Sequence, residues 1–389
     1  MTSLKLLSGS GEIIDYELSG KAISNIARTR SDFNRHAIAA AHVVVDPTAP
    51  TSPSDGGAID WDRTISFRTQ LLEMGFDIAE AMDTAQRGMG LPYDSARLLI
   101  HNTVSAVGRQ SAGRIYAGVG TDTLDPLVQH SLDAVERAYR QQLADVQSIG
   151  ARAIFMASPS MANAAATPED YIKLYRRVLC DADSPVILHW LGEMFDPRLK
   201  GYWGSPTFER AVETVITLIA ESSDRVAGIK LSLLDEDKEI MLRAALPEGV
   251  RLYTGDDFNY SNLIAGDATH HSDALLGIFD PIAPVASTAL AALAKGDRAS
   301  YDALMAPTVP LARTIFEAPT RYYKTGVVFL AWLNGHQDHF AMLCGQQSMR
   351  SLPHLCQIFR QANFAGLLQD PDLAASRMRR FMKVNGVGG

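Results

Sequence analysis

Cysteine is scarce in this chain. Only three cysteines occur among 389 residues, Cys180, Cys344 and Cys356, and no two of them form a CxxC pair. An odd number without that spacing argues against a disulfide framework and against a structural zinc site, and it is typical of proteins in a reducing compartment. We therefore expect a cytoplasmic protein whose three thiols behave as small buried hydrophobic groups.

Two further absences narrow the class of partners. The net charge is −8 and no long run of Lys or Arg occurs, which argues against nucleic-acid binding. The N-terminal segment has no apolar stretch long enough for a signal peptide, and the most apolar late segment, Val327 to Leu333, is too short to cross a bilayer. We expect neither a nucleic acid nor a membrane as a partner.

What the chain does contain is a repeated alternation of short apolar runs and helical segments, as in successive βα units. An open doubly wound sheet would give a similar pattern, but eight units favour a closed (β/α)₈ TIM barrel of the α/β class. The predicted strands are Ala37–Val45, Phe76–Ala81, Arg114–Ala117, Ala153–Ala157, Val186–His189, Ala227–Leu231, Arg251–Thr254 and Ala274–Phe279. The predicted helices between them include Asp62–Met74, Ser131–Ser148, Pro168–Arg177, Thr207–Ala220 and Asp237–Ala245.

Segments at both ends of the chain differ from this alternation. The opening residues 4–18 predict a β-hairpin around a Gly-rich turn. Beyond Tyr301 strand signals stop, and helices are predicted over Leu304–Glu317, Tyr322–Leu333 and Ala374–Val384. We predict a barrel domain with an N-terminal hairpin over residues 1–300 and a C-terminal helical extension, packed on the barrel, over residues 301–389. The apolar and aromatic side chains of this extension predict a homo-oligomer interface.

Lys230 lies inside the sixth predicted strand, in the otherwise apolar segment Val226–Ser232. In barrel enzymes the reactive side chains sit where the strands end. A desolvated lysine has a lowered pKa, and its neutral amine can condense with a carbonyl group. The alternative is a lysine whose head reaches solvent or an acid such as Asp235.

The segment Gly228-Ile229-Lys230 is similar to the one that carries the Schiff-base lysine in the dihydrodipicolinate synthase/N-acetylneuraminate lyase group. Further segments resemble that group in the same order: Ile115–Gly120 for the turn after the third strand, Ala151–Pro159, Pro185–Leu188, Tyr253–Asp257 and Leu276–Ile278. The resemblance covers roughly residues 37 to 300. It implies a lyase in which Lys230 forms an imine with a small carbonyl substrate and needs no other cofactor.

His189 stands where the family has a proton-shuttling tyrosine, at the end of the fifth strand. An imidazole titrates near neutral pH and suits proton transfer, so the resemblance implies a catalytic acid or base here. The alternative is a histidine that only forms hydrogen bonds in the barrel mouth.

The substrate-binding residues implied by the resemblance are Thr84, Asp83, Gly118, Asp256 and Asp257. In the family, a Gly-Thr-Thr-Gly-Glu stretch after the second strand holds the substrate carboxylate. Here Ala81–Gly88 replaces it, and only the Thr84 hydroxyl remains. This departure points away from pyruvate and toward a polyhydroxylated, sugar-derived keto or aldehyde compound.

Two other function classes remain open. The side chains of Glu80, Asp83, His189 and Glu193 follow strand ends and could together hold a divalent metal, which predicts a metal-dependent lyase or isomerase. A barrel that only binds its ligand is the second alternative. Arg87 could bind an anionic substrate group, although a salt bridge is the commoner fate of an arginine. His336 and His339 are interpreted as residues of a solvated loop.

Overall fold

The computed structural model describes residues 3–18, 22–52, 57–108, 110–267 and 269–387. The chain divides into two compact units. The first, here called the barrel unit, consists of Arg35–Ala41 and Asp77–Gly277. The second, here called the helical unit, consists of Met1–Asn34, His42–Phe76 and Ile278–Gly389. The division at residue 300 stays a prediction.

Eight strands of the barrel unit form a closed barrel in which every neighbouring pair is parallel, and they follow chain order around it. The predicted α/β class and (β/α)₈ architecture are therefore confirmed. These strands are β3 (Ala37–Ala40), β4 (Asp77–Glu80), β5 (Ile115–Val119), β6 (Arg152–Phe155), β7 (Val186–Leu191), β8 (Val226–Ser232), β9 (Arg251–Thr254) and β10 (Asp273–Leu276).

Helices connect the strands and continue beyond the last one. In the barrel unit they are α2 (Tyr93–Val107), α3 (Leu132–Ile149), α4 (Pro159–Ala164), α5 (Pro168–Leu179), α6 (Phe208–Glu221), α7 (Glu236–Ala245) and α8 (Tyr260–Ala265). In the helical unit they are α1 (Trp61–Glu73), α9 (Phe279–Ala294), α10 (Arg298–Met305), α11 (Thr308–Ile315), α12 (Tyr323–Leu333), α13 (Leu352–Phe364) and α14 (Pro371–Val384). The N-terminal hairpin, β1 (Ser3–Leu7) with β2 (Ile13–Glu17), also belongs to this unit.

The largest errors in the predicted strands and helices concern three elements. Strand β3 ends at Ala40 rather than at residue 45, and residue 279, predicted as the end of the last strand, instead begins α9. The helix predicted over residues 304–317 is two helices, because Pro307 lacks the N–H that a continuous helix would need.

The barrel interior is filled by inward-facing side chains from alternate positions of the strands. This core contains Ile38, Ala40, Ala79, Met82, Tyr116, Ile154, Ile187, Tyr253 and Leu275. Gly228 of β8 has no side chain for a steric reason, since a Cβ atom there would lie 2.7 Å from the ring of Tyr253 and 2.5 Å from the carbonyl oxygen of Arg251. The glycine of the Gly-Ile-Lys segment thus makes room for the Tyr253 ring.

The ends of the barrel where the strands begin, here called the base, contain a paired polar network. His36 lies 2.8 Å from the Tyr253 hydroxyl through Nδ1 and 2.8 Å from the Asp77 carboxylate through Nε2. Arg114 donates to the other oxygen of Asp77 at 2.9 Å. Asp273 accepts from the His36 backbone N–H at 2.6 Å. Buried polar groups satisfied in this way stabilise a fold and leave no atom free for chemistry.

In the helical unit, the hairpin contacts the C-terminal helices. The Tyr16 hydroxyl accepts a hydrogen bond from Asn363 of α13 at 2.7 Å, and the Arg360 guanidinium donates to the Leu7 carbonyl at 2.7 Å. The N-terminal hairpin and the predicted helical extension therefore pack together within one unit.

The expectation that all three cysteines are buried is wrong for two of them. Cys180 and Cys344 are exposed, and only Cys356 is buried. Cys180 follows α5 and Cys344 lies in a short turn before α13, where neither thiol is covered by a second element. Among the described residues, no helix combines the length and apolar character needed to span a bilayer.

Candidate active site

Lys230 lies on the inner face of β8, near the ends where the strands stop, here called the mouth. In register with it are His189 of β7 and Tyr253 of β9. Because strand residues alternate between faces, Ser232 shares the inner face with Lys230. The lysine is only 8% exposed. The sequence-predicted lysine is therefore a buried residue of the barrel interior.

Gly255 follows β9 and lies directly against the lysine side chain. A Cβ atom at this position would be 2.7 Å from Lys230 Cε and 2.2 Å from Ser232 Oγ, distances that real side chains do not adopt. The absence of a side chain at residue 255 is what gives the lysine its space. Gly255 thus shapes the site without providing a functional group.

The Lys230 ammonium group is in an unfavourable environment. It makes no hydrogen bond and no ion pair with the described residues. Burial lowers its pKa below the ordinary lysine value, and the negative charges of Asp257 and Asp83 oppose this shift without cancelling it. Desolvation penalises the charged form, so a larger share of the amine is neutral and nucleophilic.

His189 of β7 is a titratable neighbour in register with the lysine. Its Nε2 lies 3.1 Å from Ser232 Oγ, while its buried Nδ1 has no partner among the described residues. Burial, and after it the charge of Lys230, holds the pKa of His189 well below its usual range. A neutral imidazole with one open ring nitrogen can accept a proton from a bound molecule.

The two predicted aspartates after β9 differ in their surroundings. Asp256 accepts hydrogen bonds from the backbone N–H groups of Phe258 and Asn259, at 2.8 and 3.0 Å, and from the Asn259 side chain at 2.9 Å. These bonds use both carboxylate oxygens to shape the turn. Asp257 is buried and interacts electrostatically with Lys230. The structure thus associates Asp257 with the lysine and assigns Asp256 to the turn.

The segment after β4 contains Asp83 and Thr84, two of the predicted substrate-binding residues, and lies against a third, Gly118. Asp83 is partly buried and interacts electrostatically with Lys230, and Thr84 beside it is buried. Ala81 has φ 51°, in the left-handed region that costs a non-glycine residue about 1–3 kcal/mol. Gly118 of β5 lies against this segment, because a Cβ atom there would be 3.0 Å from the Ala81 carbonyl oxygen. The missing side chain of Gly118 therefore leaves room for this segment.

The four side chains of the metal alternative do not converge. Glu80 points toward α2, where it accepts a hydrogen bond from the Thr103 hydroxyl at 2.6 Å, and it also accepts from the Ala81 N–H at 2.9 Å. Glu193 is exposed. Across the part of the chain that the structure describes, no group of three or more His, Cys, Asp or Glu side chains is arranged to hold a metal ion.

The guanidinium group of Arg87 donates hydrogen bonds to neighbouring residues through all three of its nitrogen atoms. It donates to both oxygens of Asp122, at 2.9 and 2.8 Å, to Gln142, at 2.5 Å, and to the Gly118 carbonyl, at 2.5 Å. The buried guanidinium therefore fixes the loops after β4 and β5. It has no donor directed to a substrate carboxylate.

A chain of hydroxyl groups lies beyond the ends of β5 and β6. Thr121 Oγ1 is 2.5 Å from Ser158 Oγ, and the Ser158 backbone N–H donates to Tyr202 at 3.0 Å. The chain continues from Tyr202 to Tyr175 at 2.8 Å and to Tyr139 at 3.2 Å. Burial raises the pKa of all three phenols well above its usual value, so they stay protonated.

Sequence reasoning missed two residues that contact the lysine or the histidine. Ser232 lies two residues after Lys230, and strand alternation alone would have placed it on the same face. Gly255 lies in the segment Tyr253–Asp257, but only the distances show that its missing side chain makes room for Lys230.

Comparison with known proteins supports the fold. The family described as "Protein of unknown function (DUF993)" matches residues 4–387. Dihydrodipicolinate synthase from Aquifex aeolicus is 15% identical over 91% of this chain and 98% of its own, with a TM-score of 0.60. The Acinetobacter baumannii enzyme, solved in complex with pyruvate, is 16% identical over 86% and 99%, with a TM-score of 0.63. The Bacillus anthracis enzyme is 18% identical over 76% and 88%, with a TM-score of 0.56.

No curated protein matches the chain significantly. The resemblance to dihydrodipicolinate synthase that the sequence predicts is confirmed by these structures. At 15–18% identity the likeness establishes the fold alone, so the reaction has to be argued from the side chains of this chain.

Proposed function

We propose that this chain, which belongs to the DUF993 family of proteins of unknown function, is a class I lyase that forms an imine between Lys230 and a small keto or aldehyde compound. The observation that carries the proposal is the buried lysine, which forms no hydrogen bond or ion pair with the residues that the structure describes. Burial lowers the pKa of the Lys230 ammonium group, against the opposing charges of Asp257 and Asp83, and so increases the share of neutral amine.

The chemistry follows from that amine. Its lone pair attacks the substrate carbonyl, and loss of water gives an iminium ion, which accepts the electron pair of the breaking carbon–carbon bond. The neutral His189 accepts the proton of the hydroxyl group whose carbon becomes the released aldehyde. The same histidine returns that proton to the enamine carbon, and water then hydrolyses the imine and frees Lys230.

The charges around the lysine favour a substrate without a carboxylate. Asp83 occupies the segment that replaces the family's carboxylate-binding stretch, and Asp257 adds a second negative charge. Arg87, considered for binding an anion, is committed to Asp122. Carboxylates accept hydrogen bonds from hydroxyl groups, so we propose a polyhydroxylated, sugar-derived keto or aldehyde compound. Thr84 would contribute one more hydroxyl contact.

We also propose that the chain forms a homo-oligomer through its C-terminal helices. Phe364 at the end of α13 is 75% exposed and Val384 at the end of α14 is 86% exposed. Exposed large apolar groups on the C-terminal helices are typical of an interface. Light scattering would show a mass above 42.3 kDa, and a monodisperse monomer would contradict this part of the proposal.

Borohydride trapping tests the reaction class. The protein is incubated with ketoses, hydroxyaldehydes and 2-keto acids in turn, reduced with borohydride, and digested for mass spectrometry. We expect an adduct on Lys230 with a hydroxylated compound, none in Lys230→Arg, and an undiminished adduct in the control Lys200→Arg, which changes an exposed lysine. Turnover that chelators abolish, without any adduct, would replace the proposal with the metal-dependent enzyme. Ligand binding without adduct or turnover would replace it with a binding protein.

A further inference from the structure

Ser232, the last residue of β8, lies next to both the histidine and the lysine of the mouth. Its Oγ is 3.1 Å from His189 Nε2. A Cβ atom at Gly255 would lie 2.2 Å from the same oxygen and 2.7 Å from Lys230 Cε, so the serine hydroxyl and the end of the lysine side chain are neighbours around one point. Ser232 is only 1% exposed. A single buried hydroxyl group therefore adjoins both residues.

The backbone around Ser232 is held from both sides. Its carbonyl oxygen accepts a hydrogen bond from the Gly192 N–H, after β7, at 3.0 Å. The Gly255 N–H, after β9, donates to the neighbouring carbonyl of Leu231 at 2.8 Å. A functional group carried by such a strand is placed more precisely than one carried by a loop.

The partner of His189 distinguishes it from the other buried histidines. Three of those each lie 2.7–2.8 Å from a carboxylate, namely His36, His42 and His354. His336 is partly buried against the Phe67 ring, so the prediction of a solvated loop is wrong for this residue. His189 alone lies beside a hydroxyl among the histidines that the structure describes as buried. A carboxylate only accepts, whereas a hydroxyl accepts with its oxygen and donates its own proton.

The serine hydroxyl keeps a free proton when the imidazole donates to it. In the neutral tautomer that carries its proton on Nε2, His189 donates to Ser232 Oγ, and Nδ1 remains the base of the proposed reaction. Ser232 Oγ has no second hydrogen-bond partner within the described chain. Its own proton is then available to an oxygen atom of a molecule bound at Lys230.

We propose that Ser232 is a further catalytic residue, which moves a proton from the Lys230 nitrogen to the substrate oxygen while the imine forms. Attack of the neutral amine on the carbonyl carbon gives an adduct with a positive nitrogen and a negative oxygen. Ser232 donates its proton to that oxygen and accepts one from the nitrogen, which restores the hydroxyl and leaves a neutral carbinolamine. The transfer needs no other reactant and is complete before water is lost. The inference rests on the proposed lyase function.

The rate of imine formation tests this role. The full chain is incubated with glycolaldehyde and reduced with borohydride at intervals, and mass spectrometry compares the adduct on Lys230 with that on exposed Lys200. We expect Ser232→Ala to slow adduct formation at Lys230 by roughly a hundredfold, in the range of a general acid–base contribution. The control Ser287→Ala removes another buried serine hydroxyl and should keep the parent rate.

Ser232→Cys keeps a transferable proton in a side chain of similar shape, but the thiol is a weaker donor. We expect an intermediate rate of imine formation, and this variant keeps the test available if Ser232→Ala fails to fold. A parent rate in both variants would overturn the role of Ser232 and leave the lyase function intact. A parent chain that forms no adduct at Lys230 would remove both.

Acetylation with trace acetic anhydride separates proton transfer from a structural role. The anhydride acylates the lysine nitrogen and releases acetate, so no proton has to reach the attacked oxygen. Ser232→Ala should therefore acetylate Lys230 at the parent rate and with the parent pH dependence, although imine formation is slowed. If acetylation and imine formation slow together, Ser232 only shapes the site and the proposal is wrong.

Discussion

The two ends of the barrel hold their buried polar groups in different ways. At the base, His36 uses both ring nitrogens, and the carboxylate of Asp77 has a partner on each oxygen. At the mouth, within the described part of the chain, Lys230 has no hydrogen bond and His189 Nδ1 has no partner. At the base of the barrel the buried polar groups therefore have hydrogen-bond partners, whereas at the mouth some of them have none among the described residues.

This difference separates stability from chemistry. A paired buried network contributes to folding only while all its members are present, so its loss is costly. An unpaired buried lysine costs stability and is retained in a site where its reactivity is needed. In barrel folds the base stabilises and the mouth catalyses, and the proposed roles of the two ends of this barrel follow the same division.

The largest expected effect comes from removing the lysine. Lys230→Met should lower turnover of the substrate identified by trapping by ~10⁴-fold or more. Its free energy of unfolding should stay equal or rise, because the folded-state pKa of Lys230 lies below the unfolded one, so that burial of the charged form costs stability at every pH below the ordinary lysine pKa. Urea unfolding measures this term. A clear loss of stability would show that the mouth, like the base, is a structural network.

The matching experiment at the base is Asp77→Asn. We expect a loss of about 3 kcal/mol in the free energy of unfolding, because His36 and Arg114 each lose a charged partner. Borohydride trapping at Lys230 should persist. The control is Asp83→Asn on the mouth side of β4, with a change of about 0.5 kcal/mol or less. Equal stability of the two variants would remove the distinction between base and mouth.

The third prediction separates the roles of the two mouth residues. His189→Phe should lower turnover roughly a hundredfold, the usual size of a general acid–base contribution, and should leave the trapped imine detectable. The control is Trp190→Phe, which changes the outward-facing neighbour that stacks on Phe208. Single-turnover measurements with trapping at intervals distinguish imine formation from later steps. Unchanged turnover would exclude His189 from the mechanism.

The smallest expected effect concerns a buried acid outside the mouth. Glu239 accepts from the Ser272 hydroxyl at 2.7 Å, and burial raises its pKa to about 8, although hydrogen bonds from Ser272 and Thr254 oppose this shift. The folded state holds this proton more tightly than the unfolded state, so stability falls as the pH rises from about 4.5 to about 8.

Glu239→Gln should flatten that dependence and raise stability by about 1–2 kcal/mol near pH 9, with little change near pH 5. Urea unfolding at the two pH values measures it. The same slope in the variant and the parent chain would mean that Glu239 is ionised in the fold.

The sequence predicts the eight strands well, because buried parallel strands are short apolar runs that stand out from their surroundings. It missed α2, although Ala96, Leu99, Ile100 and Val104 are spaced as on one face of a helix. The polar residues between them hid that pattern. It also joined α10 and α11 across Pro307, where the proline itself was the available signal.

Within the site, strand position is enough to predict that Lys230 and His189 are neighbours. It cannot predict that Asp256 is used by its own turn or that Glu80 turns outward to Thr103, because those fates depend on loop geometry and on a distant helix. The sequence also could not predict that Arg87 forms a salt bridge, because its partner Asp122 lies in another loop. A residue type at a strand end is therefore a candidate until its partners are known.

The central claim is that Lys230 is an amine made reactive by its burial. Competitive labelling with trace acetic anhydride across a range of pH, followed by mass spectrometry of the Lys230 peptide, measures its pKa without knowledge of the substrate. We predict an apparent pKa below the value of about 10.4 for an ordinary lysine, with exposed Lys200 in the same sample titrating normally. A Lys230 that titrates with Lys200, or that labels only after unfolding, would contradict the account.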